Sequence, residues 1–282
     1  MRKNIFEQLE VSYDRSKEIR RILELFSREY TLHLFCRDYQ ITDYVNSYCF
    51  SDWTNRGHCL DVDDFLEELQ FDDLRYAAAE ELDAYLTLIE VVFNFWKMAE
   101  IDQNNPDRDL ECYGNFYLLR NIMLDELSRY NYKAVYDEEK EQLLVIEDKP
   151  EVTAAAEVAD EEITMEILRY NHFSMKGDLK SKKTILLAMG ANLEPKRSEI
   201  EAVNSKLASD VFFMLNNMNL RHNNGTPGDK SYKQAVAEMP AEDMESWYDE
   251  LYQMMLLAIL ELDQRDRFNR VAQLKATVCG GT

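Results

Sequence analysis

An all-α architecture with one minor β-hairpin near the middle is what this sequence predicts, and three observations carry the prediction. Chain breakers are scarce, with 8 Gly and 5 Pro in 282 residues, whereas large rings abound, with 16 Tyr and 13 Phe. Such a mixture favours long helices packed on one another. Apolar residues then recur at three-to-four spacing along most of the chain, the helical period, and that period is interrupted around residues 132–146. Hydrophobic residues make up 46% of the chain, enough for a full core and too many for a disordered one.

In chain order, Ile19, Ile22, Leu23, Phe26, Tyr30 and Leu34 form one stripe and predict a helix over 13–35. Residues 36–60, with Trp53, Asn55, Gly57 and two cysteines, read as irregular. Asp61 is placed to cap the next helix, with Phe65, Leu66 and Leu69 on its inner side. A long helix is expected from Leu74 to Ile101, its Phe93, Phe95 and Trp96 forming a central packing element, and Asn104-Asn105-Pro106 ends it. Another covers Phe116–Tyr130.

Tyr132–Tyr136 and Gln142–Ile146 are strand candidates joined by the charged loop Asp137–Glu141. Helix resumes over Pro150–Asn171. A further helix starts near Ser181 and stops around Gly190. The next runs from Pro195 or Ser198 to Met218, with Ile200, Val203, Leu207, Val211, Leu215 and Met218 on one face. Arg221–Gly228 is an exposed turn by its Gly and Pro content. Ala241–Leu262 is helical with Trp247, Leu251, Met254, Met255 and Ala258 inward, and Arg265–Leu274 packs or frays. The expected organisation is an N-terminal helical region 1–131, a hairpin and acidic connector 132–153, and a C-terminal bundle 154–282.

Charge narrows the function classes. The formal net charge is -22, a field that repels phosphate backbones at long range and disfavours nonspecific DNA binding while leaving room for a local basic site or a basic protein partner. Between Asp137 and Glu166 there are twelve acidic residues against two lysines, a solvated face or a docking surface. The sign then reverses: Arg169, Lys176, Lys180, Lys182, Lys183, Lys196 and Arg197 meet only Asp178 and Glu194. The most apolar stretch, 82–98, is interrupted by Asp83, Glu90, Asn94 and Lys97, which reads as core rather than a membrane span. Polar Glu7 and Gln8, so soon after Met1-Arg2-Lys3-Asn4, predict no secretory leader, and five irregularly spaced cysteines suit free thiols in a cytoplasmic setting.

Phosphate-loop, dinucleotide, zinc-protease and hydrolase-elbow motifs are absent, so no cofactor is expected. Proton transfer near neutral pH falls to four histidines, His33, His58, His172 and His222. Arg28 and His33 are five positions apart, an arginine for a phosphate beside a histidine acid or base, which suits metal-independent RNA cleavage. A packing histidine explains His33 equally well. Arg221, His222, Asn223 and Asn224 form a polar cluster able to hold a phosphate, or else a C-terminal helix cap. Cys49, His58 and Cys59, with Cys36, lack a zinc-binding spacing, so no metal is expected.

One resemblance adds to this. Gly177-Asp178-Leu179-Lys180-Ser181-Lys182-Lys183, Leu186–Gly190, Leu193-Glu194-Pro195, the helix running into Asn216–Asn224, and Trp247–Tyr252 together resemble helical abortive-infection proteins of bacteria over residues 165–275. Those proteins often carry HEPN-type domains: helical bundles, usually dimeric, many of which cleave RNA with an arginine, an adjacent polar residue and a histidine four to six residues later. The resemblance implies a C-terminal HEPN-like bundle, RNA as ligand, a homodimer, and a role in defence. Arg221 and His222 are adjacent, however, and the Arg28–His33 spacing lies outside the resembling region, with Glu29 beside the arginine. The leading expectation is therefore a bacterial defence or stress-response protein engaging RNA through the basic 169–233 region. There Lys180, Lys182, Lys183, Arg197, Arg221 and Asn223 bind nucleic acid; if the protein cleaves, His222 or His33 moves the proton and Arg221 or Arg28 holds the phosphate. The alternative is a non-enzymatic acidic regulator or scaffold that binds a basic protein.

Overall fold

A computed structural model describes residues 13–32, 37–102, 110–111 and 113–279. It is predominantly helical, with a small β-hairpin near the middle. The chain divides into two compact units, Met1–Val145 and Ile146–Thr282.

The first unit opens with α1 (Arg15–Phe26), whose N-terminus is capped by Asp14: its carboxylate accepts from Ser16 N–H. Ile19, Ile22, Leu25 and Phe26 face the core. The helix ends earlier than the stripe predicts. Ser27 N–H bonds the Leu23 carbonyl, and Tyr30–Leu32 (β1) is extended. β1 lies between Arg37–Tyr39 (β2) and Leu110–Glu111 (β3) in a three-stranded antiparallel sheet, with Tyr30 opposite Tyr39 and Thr31 opposite Glu111. β3 reaches β1 across a long stretch of sequence and leaves no local signature, whereas β1 and β2, three residues each, are too short for a period-2 pattern to show.

Next come α2 (Ile41–Tyr48), two single-turn 3₁₀ segments, and α3 (Val62–Glu68), where Asp61 does cap by accepting from Asp64 N–H at 2.8 Å. The expected 74–101 helix is two helices, α4 (Phe71–Ala77) and α5 (Leu82–Asp102). One face of α5 is wholly buried, and its Phe95 meets the rings of Phe26, Trp53 and Phe65. After α6 (Tyr113–Arg129), Trp96 stacks on Phe116 with ring centroids 4.8 Å apart. Buried Glu126 is satisfied by two phenols, Tyr13 at 2.8 Å and Tyr85 at 2.9 Å. Asn131, at φ 60°, turns the chain into the hairpin of β4 (Tyr132–Asp137) and β5 (Gln142–Glu147).

In the second unit, Ile146 bridges His172, and Glu147 N–H bonds the Asn171 carbonyl at 2.9 Å. The single helix expected over 150–171 is broken at Ala159-Asp160 into α7 (Pro150–Val158) and α8 (Glu161–Arg169). α9 (Leu179–Leu193), capped by Asp178, passes straight through Gly190. That glycine is a packing residue and not a stop: a Cβ there would lie 2.8 Å from Leu215 Cδ2. Asn204 divides the following stretch into α10 (Arg197–Val203) and α11 (Ser205–Asn217) by capping the latter, accepting from Leu207 N–H at 3.1 Å. The predicted face is buried except Val203, which is exposed.

After the short α12 (Gln234–Ala237), α13 (Ala241–Cys279) runs 39 residues, far beyond the expected end at Leu262. Met244, Tyr248, Leu251, Tyr252, Met255 and Ile259 bury its first part, whereas Trp247, expected inward, is exposed. No helix among the described residues is long and apolar enough to cross a membrane.

Candidate cation-binding groove

The polar residues that interrupt the apolar α5 turn out to hold the hairpin. Asn94 Oδ1 accepts from Leu143 N–H at 2.7 Å, and its Nδ2 donates to the Leu143 carbonyl at 2.9 Å. Glu90 accepts from Val145 N–H at 2.6 Å. From the other side, Trp53 Nε1–H donates to the Glu141 carbonyl at 3.3 Å, and Asn55 Nδ2 donates to that of Lys140. Asp137, fully buried, closes the turn by accepting from Lys140 N–H at 3.2 Å. The hairpin is therefore clamped to α5 and to the segment after α2.

Between these elements lies a groove of about 290 Å³, lined by Tyr48, Cys49, Asp52, Trp53, Met98, Ile101, Asp102, Tyr136 and Glu141. Each wall has a cause. Tyr48 is fixed at the end of α2 by edge packing against Tyr39 and by a hydroxyl contact of 3.1 Å with it. Trp53 is buried against Phe50 and Phe65, with its indole nitrogen anchored on the hairpin. Asp102 accepts from Tyr44 Oη–H at 2.6 Å. The Lys97 ammonium, paired with Glu100 at 2.6 Å, lies 5.2 Å from the Tyr136 ring centroid. Burial raises the Tyr136 hydroxyl above its ordinary pKa, and the charges of Glu141, Glu138 and Asp137 add to the rise. The field there is negative.

Three aromatic rings and three carboxylates around a small cavity suit an organic cation: ring faces attract an ammonium or guanidinium, and carboxylates at the rim supply direction and charge. The volume lies near the lower edge of small-molecule sites, about 300 Å³, so a side chain or small amine fits better than a large cofactor. Among the described residues no group of three or more His, Cys, Asp or Glu is placed to hold a metal ion, so these carboxylates are spread around the rim rather than converging on a point.

The residues singled out from the sequence are dispersed. Arg28 is exposed in the turn after α1 rather than on a helix, and His33 lies outside the described residues. Lys182 is buried at 5% exposure between Glu245 Oε1 at 2.8 Å and Asp249 Oδ1 at 2.7 Å, its ammonium 5.3 Å from the Tyr170 ring centroid. Lys183 donates to the Asn219 carbonyl. Arg197 pairs with Glu201 at 3.0 Å. The Arg221 side chain pairs with Glu194 and donates to the Gly190 carbonyl at 3.0 Å, at the C-terminal end of α9, while its backbone N–H bonds the Leu215 carbonyl of the preceding α11 at 3.0 Å. Lys180, His222 and Asn223 are exposed; Asn223 Oδ1 accepts from Thr226 at 3.0 Å. Buried Asn224 is the keystone of that loop: Oδ1 accepts from Asn219 N–H at 2.9 Å and Nδ2 donates to Ser231 O at 2.7 Å. Cys59 is a buried free thiol with its pKa raised by burial, and Cys49 is half-buried in the groove wall; Cys36 lies outside the described residues.

Sequence reasoning missed the groove. Its one available signal was the polar set Glu90, Asn94 and Lys97 spaced along an otherwise apolar helix. No family model, curated protein or solved structure matches this chain.

Proposed function

We propose that this chain is a non-enzymatic acidic binding protein for a basic protein partner, and that the groove between Tyr48, Trp53 and Tyr136 seats a lysine or arginine side chain of that partner. The observation that carries this reading is the rim: Asp52 and Glu141 are exposed and have no cationic partner among the described residues, beside aromatic faces already arranged by packing. The net charge of -22 supports it by steering a basic partner toward the protein.

The test is titration of a lysine- and arginine-rich peptide, followed by calorimetry, against Asp52→Asn and Glu141→Gln. Each change is expected to weaken binding about tenfold. Equal weakening by neutralising Asp63 and Asp72, exposed carboxylates on other elements, would reduce the interaction to bulk charge and sink the groove.

A second reading, RNA engagement in bacterial defence with or without cleavage by a HEPN-like bundle, draws support from exposed Lys180, His222 and Asn223. The internal pairing of Lys182, Arg197 and Arg221 weighs against it, since those charges are already compensated. Metal-free cleavage of a cellular RNA pool, lost on His222→Ala, would move the weight to this second reading.

A further inference from the structure

From Gln264 onward every residue of α13 except Arg265 is exposed, yet this half of the helix is not uniformly polar. Leu257, Phe268, Val271, Leu274 and Val278 are exposed large apolar residues. Leu257, Gln264, Val271 and Val278 recur every seven positions, and Leu260, Arg267 and Leu274 recur at the same interval, offset by three. That is the seam of a helix pair, two of its positions polar, with no helix among the described residues of the second unit covering it beyond Ile259.

We infer that this seam pairs with its copy in a second chain, antiparallel, making the protein a homodimer through the C-terminal half of α13. Charge selects the partner and the direction. In the antiparallel register, Leu257 faces the second copy's Leu274 and Leu260 faces its Val271. Gln264 faces the second copy's Arg267, so the two polar positions meet each other instead of opposing an apolar one. Asp263, which pairs with Arg267 of its own helix, then lies beside the second copy's Arg270 on one flank. A parallel, in-register pair would instead set Arg270 against the second copy's Lys275, a like-charge contact. The segment also escapes the repulsion of the acidic body: from Gln264 to Cys279 the one acidic residue is Asp266, against Arg265, Arg267, Arg270 and Lys275. The polar Gln264–Arg267 layer costs stability and sets register, as buried polar layers do in coiled coils.

Sedimentation velocity on the full chain over a concentration series tests the pairing. The wild type is expected to dimerise, and Leu274→Glu or Val271→Glu, both at sites exposed in the single chain, is expected to raise the dissociation constant by at least about tenfold, with a melting curve unchanged at dilutions where both are monomeric. A wild type that stays monomeric at the highest concentration overturns the proposal. Exposed Cys279 reads the direction. Antiparallel pairing holds the two Cys279 thiols roughly 40 Å apart, so oxidation should not join them. The variant Gln264→Cys/Arg267→Cys/Cys279→Ser should cross-link between chains, and its Cys279→Ser parent should not. A wild-type dimer linked through Cys279, with none through positions 264 and 267, overturns the antiparallel register.

Discussion

In the second unit, Lys182 carries its charge into the core and meets Glu245, Asp249 and the face of Tyr170 there. In the first unit, Asp52 and Glu141 keep their charges at the rim of a groove, with no cation from the described residues to answer them. Both regions combine carboxylates with aromatic rings. The difference is that in one an ammonium pairs with the carboxylates, whereas Lys97 beside the groove is paired with Glu100. The Lys182 cluster is thus a model, inside the same protein, of what the groove is proposed to do with a partner's lysine, and it teaches that a cation counted in a sequence can be structural while an unmatched carboxylate is available for binding.

The comparison can be broken most forcefully at Lys182. Lys182→Met leaves Glu245 and Asp249 facing an apolar group and is expected to cost about 3 kcal/mol, the bottom of the range for breaking a buried pair, because Asp249 keeps half its side chain in solvent. Chemical denaturation measures it. A pH titration sharpens the same point. The Lys182 ammonium, helped by Gly177 N–H, holds the Glu245 carboxyl below its ordinary pKa. A depressed folded pKa contributes stability that is present above the unfolded value, near ~4.3, and is lost as pH falls through the folded one. The wild type should lose stability below about pH 4 by this route, and Lys182→Met should lose less over the same window.

Next in size is the clamp on the hairpin. Asn94→Ala removes both side-chain bonds to Leu143 and strands its buried backbone N–H, an expected loss of about 2 kcal/mol. It should also weaken peptide binding, because the Tyr136 and Glu141 wall is no longer held. A variant that lost stability but bound with full affinity would separate the groove from the clamp.

Gly190→Ala has a smaller effect and an informative sign. In an ordinary helix interior the change stabilises by nearly 1 kcal/mol. Here the new Cβ meets Leu215 at 2.8 Å, so the expected outcome is a net loss of about 1 kcal/mol, visible as a lowered Tm. The smallest stability effect belongs to the rim. Asp52→Asn and Glu141→Gln should shift stability by less than about 0.5 kcal/mol while weakening the basic peptide. A large stability loss in either would place that carboxylate with the Lys182 class of structural charges.

Much of the helical framework was legible because its cause is local. Apolar spacing marked α1, α5, α6 and α11, Asp61 announced a cap, and the change of period at Tyr132 located the hairpin. The errors fall where a residue's role depends on what tertiary packing brings to it. Asn204 can sit inside a helix or cap one, and only the helix–helix turn it makes decides between them. Gly190 resembles a stop until a leucine from another helix is seen to occupy the space its side chain would need. The basic segment looked like a ligand surface because a sequence counts charges without their partners. Glu245 and Asp249 lie more than sixty positions from Lys182 and are brought to it by the packing of α13 on α9.

By itself, then, the sequence determined the helical class, the hairpin, most core faces and the acidic character, because periodicity, capping and composition act within a few residues of their cause. Tertiary structure decided which charges are spent and which remain. It brought Tyr48, Trp53, Asp102, Tyr136 and Glu141 to one groove and left the far half of α13 uncovered. Pairing and burial are relations between distant residues, and a carboxylate's role follows from whether a cation reaches it.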